Sequence, residues 1–314
     1  MKNFDNLKEN GIRYGGHNGY KLGVIIDGKN WFLKFPQSTR NFARKVEISY
    51  TTSPLSEYIG SHIYEIIGIP VHKTILGIKD KKIVVACKDF RKNPNIYFFD
   101  DFNSIKNDYV EGLDEKLEST SSSSSHGVSL EETMIIMDNN PLFLKMPALK
   151  RRFWDMFIVD ALIGNNDRNN GNWGVLVNSE NNETELAPVF DNGASFNTKS
   201  SDDKIEAILN DNARFVESAY RTRTCIFEEN AQQINPFKYI ESLKNNECNE
   251  ALIRIVPKID LDKISDMINE IPENFKGIDI ISKKRKEFYI KCLKYRCEIS
   301  LYPTYLKALE LENN

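Results

Sequence analysis

The segment from Leu162 to Val177, LIGNNDRNNGNWGVLV, places five Asn, three Gly, one Asp and one Arg between two apolar runs. Short polar side chains compete for backbone hydrogen bonds and disfavour the interior of helices and strands. The segment therefore predicts a loop held between two buried elements. Binding and catalytic groups are concentrated on loops of this kind.

The length and composition indicate a globular chain with more than one structural unit. A chain of 314 residues suggests about two lobes of roughly 150 residues each. The hydrophobic content of 40% and charged content of 28% are ordinary for a globular protein. A net charge of −3 gives no indication of a nucleic-acid partner. No apolar run approaches the ~20 residues that cross a bilayer, so no membrane span is expected.

The chain start and the cysteines bear on location. The start, MKNFDNLKENG, lacks the apolar stretch of a signal peptide, and we therefore expect a cytoplasmic protein. The five cysteines are odd in number and form no CxxC pair, which suits a reducing compartment. The four histidines are isolated in the sequence, which argues against a zinc site.

Residues 1–90 predict a small lobe that contains both strands and a helix. A glycine-rich turn at 15–19 precedes two β-rich runs, and Asp27-Gly28 between them predicts a hairpin. A helix follows, with Ser53 as its cap, Pro54 in its first turn and Gly68 at its end. The segments KTILGI and KKIVVACKDF predict two further strands.

The rest of the chain divides into an irregular part and a helical part. Residues 91–150 are polar and predict a hinge followed by a flexible serine-rich insertion. Residues 151–314 predict a larger helical lobe, in which RRFWDMFIVDALIG forms a buried helix and WGVLV and ELAPVF form a short hairpin. Amphipathic helices are expected near 236–244, 260–270 and 282–300. The predicted fold class is α+β with two lobes.

The hairpin after the loop predicts a cluster of oxygen ligands. An antiparallel return brings Asp191 back beside Asn172 and Asp167. Two carboxylates and a carboxamide suit Mg²⁺, which completes its shell with water and phosphate oxygens. The glycine-rich turn and Lys34, on a strand, could supply contacts to phosphates. These are the parts that phosphoryl transfer requires.

The order of these motifs resembles the HipA-like serine/threonine kinases. The motifs are the glycine loop, Lys34 in WFLKFP, Glu57 in SEYIGSHIYEIIGI, and then LIGNNDRNNGNWGVLV and PVFDNGASF. The resemblance runs from about Gly15 to the final helices. It implies a two-lobed protein-kinase-like fold, binding of ATP and magnesium, and a protein substrate with a serine or threonine acceptor. For location it implies secretion or translocation into a host cell, with a role in virulence.

The resemblance also implies a role for individual residues. Asp167 would orient the substrate hydroxyl and accept its proton, while Asn172 and Asp191 would hold the metal. Lys34 would contact the α and β phosphates and Glu57 would pair with Lys34. The residues implied to meet the nucleotide are Gly15, Gly16, His17, Asn18, Gly19, Lys34, Lys88 and Phe90.

Three departures from the family pattern stand out. The glycine loop begins almost at residue 1, so we expect no antitoxin-binding N-terminal domain. In the HipA toxins of this family a serine within the glycine loop is regulatory, and it has no counterpart here, since Arg13-Tyr14 precede Gly15. Asn169 replaces the histidine that usually follows the catalytic Asp by two residues, which alters how the loop is braced.

Several hydroxyl groups are candidate phosphoacceptors, and we expect autophosphorylation at some of them. One set follows Asp191 and the other is the serine run, for which a solvated linker is an equally good interpretation. The candidates are Ser119, Ser121, Ser122, Ser123, Ser124, Ser125, Ser195, Thr198, Ser200 and Ser201.

Two alternative functions stay open on the sequence. The segment DRNNGN also resembles the DRHxxN loop of phosphatidylinositol kinases, although Asn169 stands where the histidine belongs. A scaffolding pseudokinase is the other alternative. A pseudokinase usually lacks the lysine or a metal ligand. Here all four residues are present: Lys34, Asp167, Asn172 and Asp191.

Overall fold

A computed structural model describes residues 1–15, 20–111, 128–227 and 232–312. Its N-terminal part is a mixed sheet with one long helix. The elements in chain order are β1 (Lys2–Asn3), β2 (Lys21–Ile26), β3 (Lys29–Lys34), α1 (Ser53–Ile67), β4 (Thr74–Lys79) and β5 (Lys82–Lys88).

The described strands of this part form a sheet in the order β1-β4-β5-β3-β2. Asp27 and Gly28 turn the β2–β3 hairpin with φ of 50° and 70°, the left-handed pair that a two-residue turn requires. The resulting register places Lys21 directly opposite Lys34. Strand β3 also pairs with β5, so Lys34 ends a strand that has neighbours on both sides.

Helix α1 packs one face of this sheet against the rest of the protein. Leu55, Ile59 and Ile63 are buried on it, as the apolar spacing predicts. Gly68 ends the helix with a φ of 85°. Ser53, the predicted N-cap, was wrong by one residue. Ser53 is the first helical residue and Thr52 is the N-cap, and the Thr52 side chain accepts no hydrogen bond from a backbone N–H.

The remainder of the chain is mainly helical and carries a small second sheet. The elements in chain order are β6 (Tyr97–Asp101), α2 (Phe102–Glu111), β7 (Val128–Ser129), α3 (Leu130–Asn139), α4 (Pro141–Lys145), α5 (Ala148–Ile163), β8 (Gly174–Asn178), β9 (Thr184–Leu186), α6 (Asp202–Leu209), α7 (Asn212–Tyr220), β10 (Ile226–Phe227), α8 (Pro236–Glu241), α9 (Asn246–Ile255), α10 (Leu261–Asn269), β11 (Asn274–Phe275), β12 (Ile278–Asp279), α11 (Lys283–Arg296) and α12 (Tyr302–Glu312).

Of the range 91–150, the described residues 91–111 and 128–150 are more regular than the sequence indicated. Strand β6 pairs with β8 in a sheet of order β6-β8-β9, and α2, α3 and α4 follow it. The aromatic run of Tyr97 to Phe99 favours a strand, and Phe99 packs on Phe190 with ring centroids 5.1 Å apart. The serine run at 119–125 lies outside the described residues.

Two groups of buried side chains form the core. The larger group joins α1 to the C-terminal helices, with Tyr64, Trp154 and Tyr289 among its fully buried members. The smaller group, which includes Val24 and Leu33, covers the other face of the five-stranded sheet. All the cysteines are buried and unpaired. No helix in the described part of the chain is long and apolar enough to cross a membrane.

Candidate active site

Lys34, at the end of β3, lies between two carboxylates that are distant in sequence. Its Nζ is 2.5 Å from Oε2 of Glu57 and 2.6 Å from Oδ1 of Asp191. The side chain of Glu57 is completely buried, that of Lys34 is 12% exposed and that of Asp191 is 24% exposed. The structure thus brings together three predicted site residues, and the Asp191 carboxylate is the one nearest solvent.

The second oxygen of Glu57 is also occupied. Oε1 accepts hydrogen bonds from the backbone N–H of Asn192 at 3.0 Å and from Nε2 of His72 at 2.9 Å. Ser61 joins the cluster, because its Oγ lies 3.2 Å from His72 Nε2 and accepts from the Asn192 carboxamide at 3.1 Å. Glu57 is therefore fixed from several sides, and with it the position of Lys34.

The mutual attraction of these charges outweighs the cost of burying them. Burial alone would raise the pKa of Glu57, but the charge of Lys34 and the bond from His72 hold that pKa well below its usual range. Burial alone would lower the pKa of Lys34, but the charges of Asp191 and Glu57 raise that pKa far above its ordinary value. Both groups are therefore charged at neutral pH.

Helix α5 delivers the polar loop, which then folds on itself. Gly164 ends the helix at a φ of 69°. Asn172 donates from Nδ2 to the backbone carbonyl of Asp167 at 2.7 Å, which turns its Oδ1 away from that bond. Asn169 donates to Oδ1 of Asp167 at 3.1 Å and accepts from the N–H of Gly171 at 2.9 Å. The residue that replaces the family histidine thus braces the candidate catalytic carboxylate directly.

A buried ion pair ties this loop to the segment that carries Asp191. Arg168 donates to both oxygens of Asp160 on α5, at 2.8 and 3.1 Å. The same guanidinium donates to Oδ1 of Asn192 at 2.6 Å and to the backbone carbonyls of Asn172 and Phe190. Burial would lower the pKa of Arg168, but the charge of Asp160 raises it. The guanidinium therefore holds both loops at a fixed spacing.

One cavity of about 470 Å³ unites the reactive groups. Lys34, Asp167 and Asp191 all line it, together with Gly193 and the segment 197–200. Asn172 lies beside it, bonded to Asp167. The described residues hold no cluster of three or more His, Cys, Asp or Glu side chains that could bind a metal. A cation here would depend on the Asp191 carboxylate, the Asn172 carboxamide and oxygens from outside the protein.

Lys21 is a second cation of the site that the sequence analysis missed. It faces Lys34 across the hairpin, and its Nζ donates to the carbonyl of Gly15. Burial lowers the pKa of Lys21, and the charge of Lys34 lowers it further. The signal was present in the sequence, because a two-residue turn at Asp27-Gly28 fixes this register.

The residues predicted to contact the nucleotide differ in their present contacts and in whether the structure describes them. The N–H of Lys88 donates to the carbonyl of Lys73 at 2.9 Å, so that group is used within the protein. Phe90 stands at the junction of the two parts of the chain, with its ring 5.5 Å from that of Phe190. Four of the predicted glycine-loop residues, at 16–19, lie outside the described residues.

The candidate phosphoacceptors after Asp191 differ in access. Ser195 is completely buried, and its carbonyl accepts from Ser56 on α1 at 2.8 Å. The interpretation of Ser195 as an acceptor is therefore not supported in this conformation. Thr198 lines the cavity and is half-buried, and Ser201 is half-buried at the start of α6.

Known proteins resemble the chain along nearly its whole length. The serine/threonine-protein kinase CtkA of Helicobacter pylori is 33% identical over 299 residues, covering 95% of this chain and 85% of that protein. The crystal structure of a Helicobacter pylori proinflammatory kinase CtkA matches with a TM-score of 0.85 and 32% identity over 98% of both chains. No family model matches.

A more distant structure supports the fold alone. HipA of Shewanella oneidensis, solved with HipB and operator DNA, matches with a TM-score of 0.54 and 14% identity, covering 95% of this chain and 70% of that chain. The predicted α+β, kinase-like fold is confirmed by these two structures. The identity, the coverage and the fold agree: the chain belongs to the HipA-like serine/threonine kinase family.

Proposed function

We propose that the chain transfers the γ-phosphoryl group of ATP, bound with Mg²⁺, to serine or threonine hydroxyls of proteins. One observation carries the proposal: Lys34 Nζ is within 2.6 Å of both Glu57 and Asp191, in a cavity that Asp167 also lines. A buried lysine–glutamate pair beside two carboxylates is the arrangement that positions phosphates in kinases.

The residues present fit a magnesium ion. Asp191 keeps a partly exposed carboxylate in the cavity, and the Asn172 carboxamide uses its nitrogen on Asp167, which leaves Oδ1 for a cation. Hard oxygen ligands of this kind suit Mg²⁺. When bound, the ion would neutralise charge on the phosphate oxygens. Asp191 and Asn172 are therefore the proposed ligands.

The protein's own groups would perform three tasks. Lys34, and Lys21 beside it, would hold the phosphates by charge. Asp167 would accept the proton of the attacking hydroxyl, and Asn169 would keep the carboxylate oriented through the 3.1 Å bond. Arg168 would keep Asp167 and Asp191 on the same side of the cavity by holding both of their segments.

Conservative variants test the proposal. Asp167→Asn and Asp191→Asn keep shape and remove one carboxylate each, so transfer from labelled ATP to myelin basic protein should fall by at least about a thousandfold. Circular dichroism and thermal melting check that both variants fold. Full activity in either variant would overturn the assignment.

Vesicles of phosphatidylinositol in a parallel assay test the lipid-kinase alternative. Labelled lipid without labelled protein would favour that alternative.

We also propose that the enzyme phosphorylates itself, with Thr198 as the best-placed of the described candidates. Thr198 lines the same cavity as Asp167, whereas Ser195 is buried. Intact mass after incubation with ATP and magnesium should rise in wild type and stay constant in Asp167→Asn. Peptide mapping then shows whether Thr198 or the serines at 119–125 carry the phosphate. An unchanged wild-type mass removes the hypothesis.

Delivery into a host cell stays a prediction of the resemblance. Secretion would place the full chain in the medium of a growing culture, where an antibody against the protein detects it. Detection only in the cell pellet, with a cytoplasmic marker beside it, would contradict export.

A further inference from the structure

A second cavity opens beside the active-site cavity and is lined by positive charges. This cavity, of about 650 Å³, shares Lys199 and Ser200 with the first. Its other charged members are Arg44, Lys45, Lys204 and Glu47. The shared residues make the two cavities neighbouring parts of one surface that leads away from Asp167. We call the second one the basic cavity.

The positive charge of the basic cavity is not balanced within the described structure. Arg44, Lys45, Lys199 and Lys204 are exposed, and none forms an ion pair with a described carboxylate. Glu47 is the opposing charge in the lining, and it accepts a hydrogen bond from Ser201. The whole chain carries a net charge of −3, so this local excess does not reflect the overall composition.

The loop that supplies Arg44 and Lys45 is closed at its base. The N–H of Thr39 donates to the carbonyl of Ser49 at 3.1 Å, and the N–H of Thr51 donates to the carbonyl of Gln37 at 2.9 Å. These bonds join the two ends of the loop between β3 and α1. Its cations are therefore carried by a defined structure rather than by an open linker.

The loop is also tied to the segment after Asp191. Lys199 Nζ lies 4.8 Å from the centre of the Phe42 ring, within range of a cation–π contact. The N–H of Thr52 donates to the carbonyl of Thr198 at 3.0 Å. These contacts fix the basic cavity relative to the place where an acceptor hydroxyl would meet Asp167.

We infer that the basic cavity selects protein substrates that carry acidic residues close to the acceptor serine or threonine. The inference rests on the proposed kinase function. A peptide whose hydroxyl reaches Asp167 would continue along the shared lining of Lys199 and Ser200. Carboxylates on that peptide would meet unpaired cations, and complementary charge increases both association rate and selectivity.

The test compares two peptides that differ only in charge. One has a central serine flanked by glutamates and the other has glutamines at the same positions. For wild type, kcat/KM should be about tenfold higher for the glutamate peptide, since several exposed charge pairs act together. The preference should weaken at high salt, because exposed charges are screened.

Two double variants locate the effect. Arg44→Glu with Lys45→Glu reverses the charge of the loop and should abolish or invert the preference for the glutamate peptide. Lys258→Glu with Lys263→Glu makes the same change in a separate cavity that shares no lining residue with the first two. This control should keep the wild-type preference. If the first pair prevents folding, Arg44→Gln with Lys45→Gln replaces it.

The outcomes separate this inference from the proposed function. Equal turnover of both peptides by wild type would overturn the inference and leave the kinase assignment standing. A preference that survives reversal at Arg44 and Lys45 would also overturn it. Turnover of neither peptide, with no transfer to any protein, would instead count against the proposed function.

Discussion

At the scale of single residues, Glu57 shows how a buried charge is made stable. Its two carboxylate oxygens accept hydrogen bonds from the ammonium of Lys34, from Nε2 of His72 and from the N–H of Asn192. His72 is itself buried and touches no part of the cavity that holds Asp167 and Asp191. We therefore treat His72 as a positioning residue that acts through Glu57.

Removing His72 should impair the use of ATP without unfolding the protein. In His72→Ala, Glu57 loses one charge-assisted bond, and a loss of about 1.5 kcal/mol corresponds to about a tenfold drop in kcat/KM for ATP. His72→Asn, which keeps a donor, should recover part of that loss. His62→Ala, on helix α1 that also carries Glu57, is the control and should retain wild-type kinetics. Equal losses in both histidine variants would contradict a specific role for His72.

The low pKa of Glu57 predicts how stability depends on pH. A carboxylate whose pKa is lowered by folding stabilises the protein above its ordinary value of 4.5, and the stabilisation is lost as pH falls towards the folded value. The difference in unfolding free energy between wild type and Glu57→Gln should thus be constant above about pH 5.5 and shrink below about pH 4.5. Denaturant unfolding at several pH values measures it, and a constant difference down to pH 3 would contradict it.

At the scale of elements, helix α1 positions the cleft through more than Glu57. Ser56 donates to the carbonyl of Ser195, and the residue before the helix, Thr52, donates to the carbonyl of Thr198. Gly60 allows the Asn192 side chain to approach, because a Cβ added there would lie 2.8 Å from Asn192 Cβ. The helix thus fixes both ends of the segment that follows Asp191.

Gly60→Ala should therefore weaken catalysis although alanine is the better helix former. The propensity gain of about 1 kcal/mol is opposed by a 2.8 Å contact that must displace Asn192 or the helix. We expect a several-fold lower kcat with little gain in melting temperature. Glu65→Ala, exposed on the same helix, is the matched control. A stabilised and fully active Gly60→Ala would show that the contact relaxes freely.

Local sequence patterns predicted the helices and strands better than they predicted the contacts that hold the site residues in place. Asp27-Gly28 indicated the hairpin. Counting residues outward from this two-residue turn pairs Lys21 with Lys34, which is the register of the structure. The loop, its preceding helix and the return to Asp191 also followed from composition and spacing. No local pattern links His72 to Glu57 or Arg168 to Asn192, because those contacts depend on how distant segments pack. The described residues 91–111 and 128–150 are more regular than predicted, because their polar residues concealed a short aromatic strand and short helices.

At the scale of the whole molecule, buried polar contacts connect α5 to the cleft. These contacts form a path whose members, in order, are Asp160, Arg168, Asn192, Ser61, His72, Glu57, Lys34 and Asp191. Each neighbouring pair in the path lies within hydrogen-bonding distance. The path crosses α1, α5 and both loops. Since low dielectric strengthens each bond and penalises each unmade one, the path should behave as a cooperative unit.

The Asp160–Arg168 pair offers the clearest test of that cooperativity. Both side chains are 6% exposed, so Asp160→Asn keeps the shape but leaves the Arg168 guanidinium buried without its counter-charge. We expect a loss of about 3 kcal/mol in unfolding free energy, measured by urea denaturation. We also expect reduced phosphoryl transfer, because Arg168 no longer holds Asn192 firmly. Glu217→Gln, in an ion pair whose members are 77% and 59% exposed, should change stability little. Equal effects in the two variants would mean that burial does not set the strength of the pair, and the path from α5 to Asp191 would then not act as a unit.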